Sequence, residues 1–284
     1  MRRRFAALAA AAVFALALSA APVLASSPVA LAHGGGHNLT CTGENTIPAG
    51  TYSSITVTGF CTVDKGSITV RHDLVIKKGA ALFAAFRDSN VTVNGNLRVE
   101  KNGILTLGCV PTSFPCLDDP ARFDLTGLTP PKYSAAGMVG HNLTADNALS
   151  VIVHNTSIGH NVNQHGGGGG VNCDPLDVLH GAPAYTTYED STIGGNVSIT
   201  GLRTCWLGFL NNTVGHNVTF NNNVTFNAST GAGDPDGNEI AANTISGDLH
   251  CTRNFPAPQI GDSTLALNIV GGHATGQCAG LKKP

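Results

Sequence analysis

The chain has 284 residues, 35 of them glycine and 24 asparagine, against 4 glutamates and a charged fraction of 12%. Asn and Gly are poor helix formers and good turn formers, which excludes helical bundles and doubly wound α/β folds. A 42% hydrophobic content excludes wholesale disorder, and a formal net charge of −2 excludes a nucleic-acid surface.

The chain opens with Arg2, Arg3 and Arg4, an apolar run from Phe5 to Ala21, and the small-residue site Val23-Leu24-Ala25. This is the layout of a signal peptide over residues 1–25. Its removal leaves 13 basic against 18 acidic residues. No later segment is apolar for long enough to cross a membrane as a helix. Residues 26–40, rich in Gly, Ala and His, read as a flexible leader, with His33 and His37 within it.

All eight cysteines follow the leader: Cys41, Cys61, Cys109, Cys116, Cys173, Cys205, Cys251 and Cys278. An even number in an exported chain, with no Cys-x-x-Cys, reads as disulfides rather than zinc ligands. Sequential pairing (41–61, 109–116, 173–205, 251–278) is the working expectation among many open connectivities.

A short phrase then recurs: Asn155-Thr156-Ser157-Ile158-Gly159-His160-Asn161-Val162, again at Asp190–Val197 and Asn211–Val218, and in altered form at Ala242–Leu249. Weaker copies surround Asn142, Asn96 and Asp73. The position of Gly159 falls at 71, 94, 140, 159, 194, 215 and 246, in steps of 23, 46, 19, 35, 21 and 31. Read as a repeat of about 20–23 residues, the step of 46 holds two coils with a cryptic copy, and the steps of 35 and 31 hold insertions. Short β-branched runs between Gly and Asn corners, stacked about 4.8 Å apart, make a β-solenoid of roughly nine to eleven coils. The fold class expected is therefore all-β, a single-stranded right-handed parallel β-helix. It occupies residues 41–284, with loop insertions at 109–138 and 163–185. Asn96, Asn142, Asn161, Asn196, Asn217 and Asp248 share one repeat position and are expected to stack as a structural ladder.

The stretch Cys41–Tyr52 with Val57, Cys61-Thr62-Val63, Leu74-Val75-Ile76 and Gly79–Leu82 resembles a group of exported bacterial parallel β-helix proteins. The end of the chain does so too, at Asn243-Thr244-Ile245, Gly247–Cys251, Asn254, Pro256 and Gly276-Gln277-Cys278. The resemblance spans nearly the whole chain after the leader and implies the fold but no activity. The repeat is also similar in style to that of bactofilin-type filament formers, which lack these cysteines.

No catalytic set emerges, and no cofactor is expected. Asp73, Asp88, Asp190 and Asp248 are scattered, whereas hydrolysis needs two placed carboxylates. Weak metal candidates are His141, His160 and His216, which share one repeat position, and Asp234 with Asp236 in an acidic turn. Thr56-Val57-Thr58 is one clean copy of a Thr-x-Thr segment, too little for an ice-binding array. Trp206, the only tryptophan, reads as packing. The expected function is an exported structural or surface-interaction protein, whose partner is a cell-wall or extracellular polysaccharide or a second copy. The alternative is a carbohydrate-active or polysaccharide-binding protein of pectate-lyase-like architecture.

Overall fold

The computed structural model describes residues 36–85, 87–109, 134–169, 185–226, 237–261 and 266–284. Alternation of apolar and polar residues over three to five positions makes short half-buried strands, and every ladder between them is parallel. The chain therefore winds through successive rungs, a solenoid-like all-β arrangement with three faces per coil.

Face 1 begins in the first half of Gly50–Val57 and continues through Gly66–Val70, Ser89–Val93, Ala135–Val139 and Thr156–Ile158 to Ile269–Val270. Face 2 runs from His37–Cys41 through the second half of Gly50–Val57, Leu74–Ile76, Leu97–Val99, Leu143–Asp146 and Val162–His165 to Ala274–Gly276. The long strand Gly50–Val57 pairs with a separate strand at each of its halves, which joins faces 1 and 2 into one sheet of 18 strands. Face 3 is a sheet of eight strands, from Glu44–Ile47 to Asn238–Ala241.

Like residues stack inside. Ile55, Leu74, Leu97, Leu143, Val162, Val197, Val218 and Leu249 fill one register column on face 2, all buried. Each such aliphatic side chain contributes about 1.5–3 kcal/mol on burial. A polar node sits in the core: the Tyr188 hydroxyl donates to Gln164 Oε1 at 2.9 Å, and Gln164 Nε2 donates to Thr186 Oγ1 at 3.2 Å. Disulfides Cys41–Cys61 and Cys251–Cys278 staple the first and last rungs, which have a stacking neighbour on one side only. Cys109 and Cys205 are also disulfide-bonded. Cys116 and Cys173, expected as their partners, lie outside the described residues.

The repeat phase matches the pairing residue for residue, since Val70, Val93, Val139, Ile158, Ile193, Val214 and Ile245 are successive partners. The step of 46 is corrected: Ser89–Val93 pairs directly with Ala135–Val139, so it is one coil carrying an insertion and not two coils. Both expected loops are shorter than expected, because residues 135–138 and 163–165 already belong to rungs. The strand over 135–139 is disguised by its small residues. Gly137 is needed there, for a Cβ would stand 2.4 Å from Thr156 Oγ1. The first strand among the described residues is His37–Cys41, so the end of the expected leader belongs to a rung. The signal peptide lies outside the described residues.

Corners form where the backbone enters the left-handed region, tolerated best by Gly and Asn. Between faces 3 and 1 the aligned residues are Asn155 (φ 46°), Asp190 (φ 49°), Asn211 (φ 54°) and Ala242 (φ 58°). Ala242 lacks the side chain that favours this conformation. Replacing Ala242 by Asn is expected to raise stability by about 1 kcal/mol, read as a shifted urea midpoint; an unchanged or lower midpoint contradicts the corner assignment.

Candidate functional site

At the corners, side chains turn into the space between rungs and must satisfy themselves there; Asn212, Asn223, Asn243 and Asn254 do so directly after a left-handed residue. Three chains of amides result. The first lies at the exposed corner between faces 1 and 2. There the backbone N–H and Nδ2 of Asn96 donate to Asp73 Oδ1 at 2.7 and 3.2 Å. Asn142 donates in the same way to Asn96, Asn161 to Asn142, Asn196 to Asn161 and Asn217 to Asn196. Asp248 donates its backbone N–H to Asn217 Oδ1 at 2.8 Å and accepts from His273 N–H at 2.7 Å.

The second and third chains escaped the sequence reading. Asn212 donates from its backbone N–H and Nδ2 to Asn243 Oδ1, and Asn243 does the same to Asn268. At the corner between faces 2 and 3, Asn254 donates from its backbone N–H and Nδ2 to Gln277 Oε1, and Asn223 donates its backbone N–H to Asn254 Oδ1 and its Nδ2 to the Ile199 carbonyl. Asn212, Asn223, Asn243 and Asn268 are fully or almost fully buried. The available signal was the second Asn of Asn211-Asn212-Thr213 and its counterpart Asn243 in Ala242-Asn243-Thr244. Asn243→Ala would orphan buried N–H and C=O groups at a cost of about 3 kcal/mol, against about 1 kcal/mol for the exposed Asn196→Ala. Equal losses in chemical denaturation would refute the ranking.

The histidines predicted to share a position do so, on the exposed side of the first ladder. The His141 and His160 rings stand 5.3 Å apart between centroids, and the His160 N–H donates to the His141 carbonyl. Gly195 separates His216 from them. Among the described residues no third ligating group joins this pair within metal-binding distance. Asp234 and Asp236 lie outside the described residues. His37 packs edge-on against Tyr52 at 5.3 Å. The Trp206 ring occupies the space left by Gly208, where a Cβ would stand 2.3 Å from it, and faces Tyr185 at 6.3 Å.

One convergence of titratable groups was not foreseen. His154 ends Ser150–His154 and Glu189 ends the next strand of face 3, Thr186–Glu189; the two are register partners. Asp190 follows at the left-handed corner. The ligand atoms of His154, Glu189 and Asp190 all lie within 4.8 Å of one another. Nothing local in the sequence betrays the group, since 35 residues separate its halves. Burial holds the His154 imidazole down at about 3. Burial also pushes the Glu189 carboxyl up to about 7, opposed by the Thr187 hydroxyl at 2.6 Å and reinforced by Asp190. Both shifts favour neutral forms, so the 3.7 Å contact between His154 Nδ1 and Glu189 Oε2 is not an ion pair.

A separate shallow concavity of about 410 Å³ opens on face 2, lined by Asp73, Asn96, Arg98, Asn142, Thr144 and Asp146 among others. Arg98 reaches Asp146 at 3.6 Å across it, in solvent.

Because the folded-state value of Glu189 is raised from 4.5, the stability tied to its neutral carboxyl is fully present below pH 4.5 and is lost as pH rises through about 7. In chelator-treated protein, Glu189→Gln should match the parent chain at low pH and exceed it by about 3 kcal/mol above pH 8. Urea unfolding at both pH values is the check, and a constant difference would contradict a buried neutral carboxyl.

Comparison of the chain with protein-family models, curated proteins and solved structures gives no match.

Proposed function

We propose that this chain is an exported right-handed parallel β-helix that works as a structural or surface-interaction protein. Right-handedness follows the general chirality of parallel crossovers. Export is supported by the N-terminal signal pattern and by the disulfides, and the described residues include no helix long and apolar enough to cross a membrane.

The observation that carries this reading is the repetition of uncharged hydrogen-bonding groups along the stack. Ser157, Thr192, Thr213 and Thr244 occupy one register position on face 1, all exposed. Thr144, Asn163, Ser198 and Thr219 occupy another on face 2. Such columns suit an extended partner whose own groups repeat, and a cell-wall or extracellular polysaccharide has that chemistry.

The concavity with Asp73, Asp146 and Arg98 favours the second reading, a carbohydrate-active protein. Incubation of the mature protein with insoluble and soluble polysaccharides distinguishes them. The first reading expects retention on at least one insoluble polymer with no new reducing or unsaturated ends. Turnover that disappears in Asp73→Asn or Asp146→Asn replaces it with the second, and neither retention nor turnover refutes both.

A further inference from the structure

We propose that His154, Glu189 and Asp190 form a binding site for one divalent transition-metal ion, with zinc the best fit, which cross-links two successive coils. The proposal goes beyond the surface-interaction reading and does not depend on it.

The geometry points there first. His154 Nδ1 and Glu189 Oε2 are 3.7 Å apart, beyond hydrogen-bonding distance. Two ligands of a single tetrahedral zinc, each at about 2.0–2.1 Å, stand about 3.3–3.5 Å apart. The pair is thus spaced as neighbouring ligands are, and a shift of a few tenths of an ångström closes the difference. Asp190 brings a third ligand atom within 4.8 Å of both.

The carboxylates are also held as ligands are held. Thr187 Oγ1 donates to Glu189 Oε1 at 2.6 Å, and Asn211 Nδ2 donates to Asp190 Oδ1 at 2.6 Å. Each carboxylate keeps a second oxygen for an ion, while outer partners fix its orientation. The strand register fixes the His154 and Glu189 backbones side by side. His154 is fully buried, Glu189 is 14% exposed and Asp190 is half-buried, so an ion enters from the Asp190 side.

The ligand set selects the metal. An imidazole with two carboxylates suits zinc and its first-row neighbours, better than the all-oxygen sets preferred by calcium and magnesium, and it offers no thiolate for copper(I). Three protein ligands leave a fourth position for water.

The test is titration of the chelator-treated mature protein with zinc chloride, followed by calorimetry and by X-ray absorption of the loaded protein. One ion per chain is expected, in an oxygen-rich shell containing one imidazole. Asp190→Asn suits the left-handed corner and Glu189→Gln keeps the hydrogen bond from Thr187, so both variants retain the fold. Each should weaken uptake about tenfold or more with unchanged circular dichroism. His141→Ala combined with His160→Ala should leave uptake intact. The proposal is overturned by the lack of saturable uptake, by uptake indifferent to Asp190→Asn and Glu189→Gln, or by uptake lost with His141 and His160.

Discussion

The structure depends on one hydrogen bond repeated from coil to coil: a backbone N–H on one rung donates to the side-chain oxygen of an asparagine on the next. That asparagine in turn donates its own N–H groups onward to the next residue of the ladder, so each rung fixes the register of another. At the corner between faces 1 and 2 the donors point toward the start of the chain, from Asn217 down to Asp73. At the two buried corners they point the other way, from Asn212 to Asn268 and from Asn223 to Gln277. A rung is therefore bound from both sides by amides of opposite polarity. Carboxylates stand where this chemistry ends. Asp73 only accepts, and Asp248 donates nothing but its backbone N–H.

Register fixed in this way decides what the surface and the core look like. If every rung repeats its phase, like side chains stack, and a valine or leucine column seals the interior without large aromatic residues. Among the core aromatics, Phe209 packs against Tyr188 on one side and Phe220 on the other. Outside, the same rule turns isolated threonines into columns. It also makes a departure informative. The column holding His154 and Glu189 continues as Leu210 and Ala241, so two titratable groups meet there for one coil only.

Much of this was legible in the sequence because a solenoid places identical residues at identical positions. The Ile/Val-Gly-His/Gly-Asn/Asp phrase marks the corner of faces 1 and 2, and its phase is the strand register. Three of its copies need glycine for a physical reason: a Cβ on Gly159, Gly194 or Gly215 would stand 2.2–2.4 Å from the carbonyl of the rung beneath. Spacing alone, however, cannot tell two short coils from one coil with an insertion, and the step between Val93 and Val139 was misread for that reason. Asn212 and Asn243 lie inside the repeated phrase but carry no local mark of a ladder, because burial and not identity separates a ladder amide from a turn amide. His154 and Glu189 were invisible, since a contact between single residues on different rungs leaves no period to detect.

The exposed asparagine corner is a load shared between coils and not a solvated turn. Native-state hydrogen exchange of the backbone amides of Asn142, Asn161, Asn196 and Asn217 measures this directly. Asn196 and Asn217 are exposed, yet their N–H groups are committed to the oxygens of neighbouring asparagines. These amides are expected to exchange only through global unfolding, as slowly as those of the core strands. Exchange at the rate of an open surface turn would contradict it.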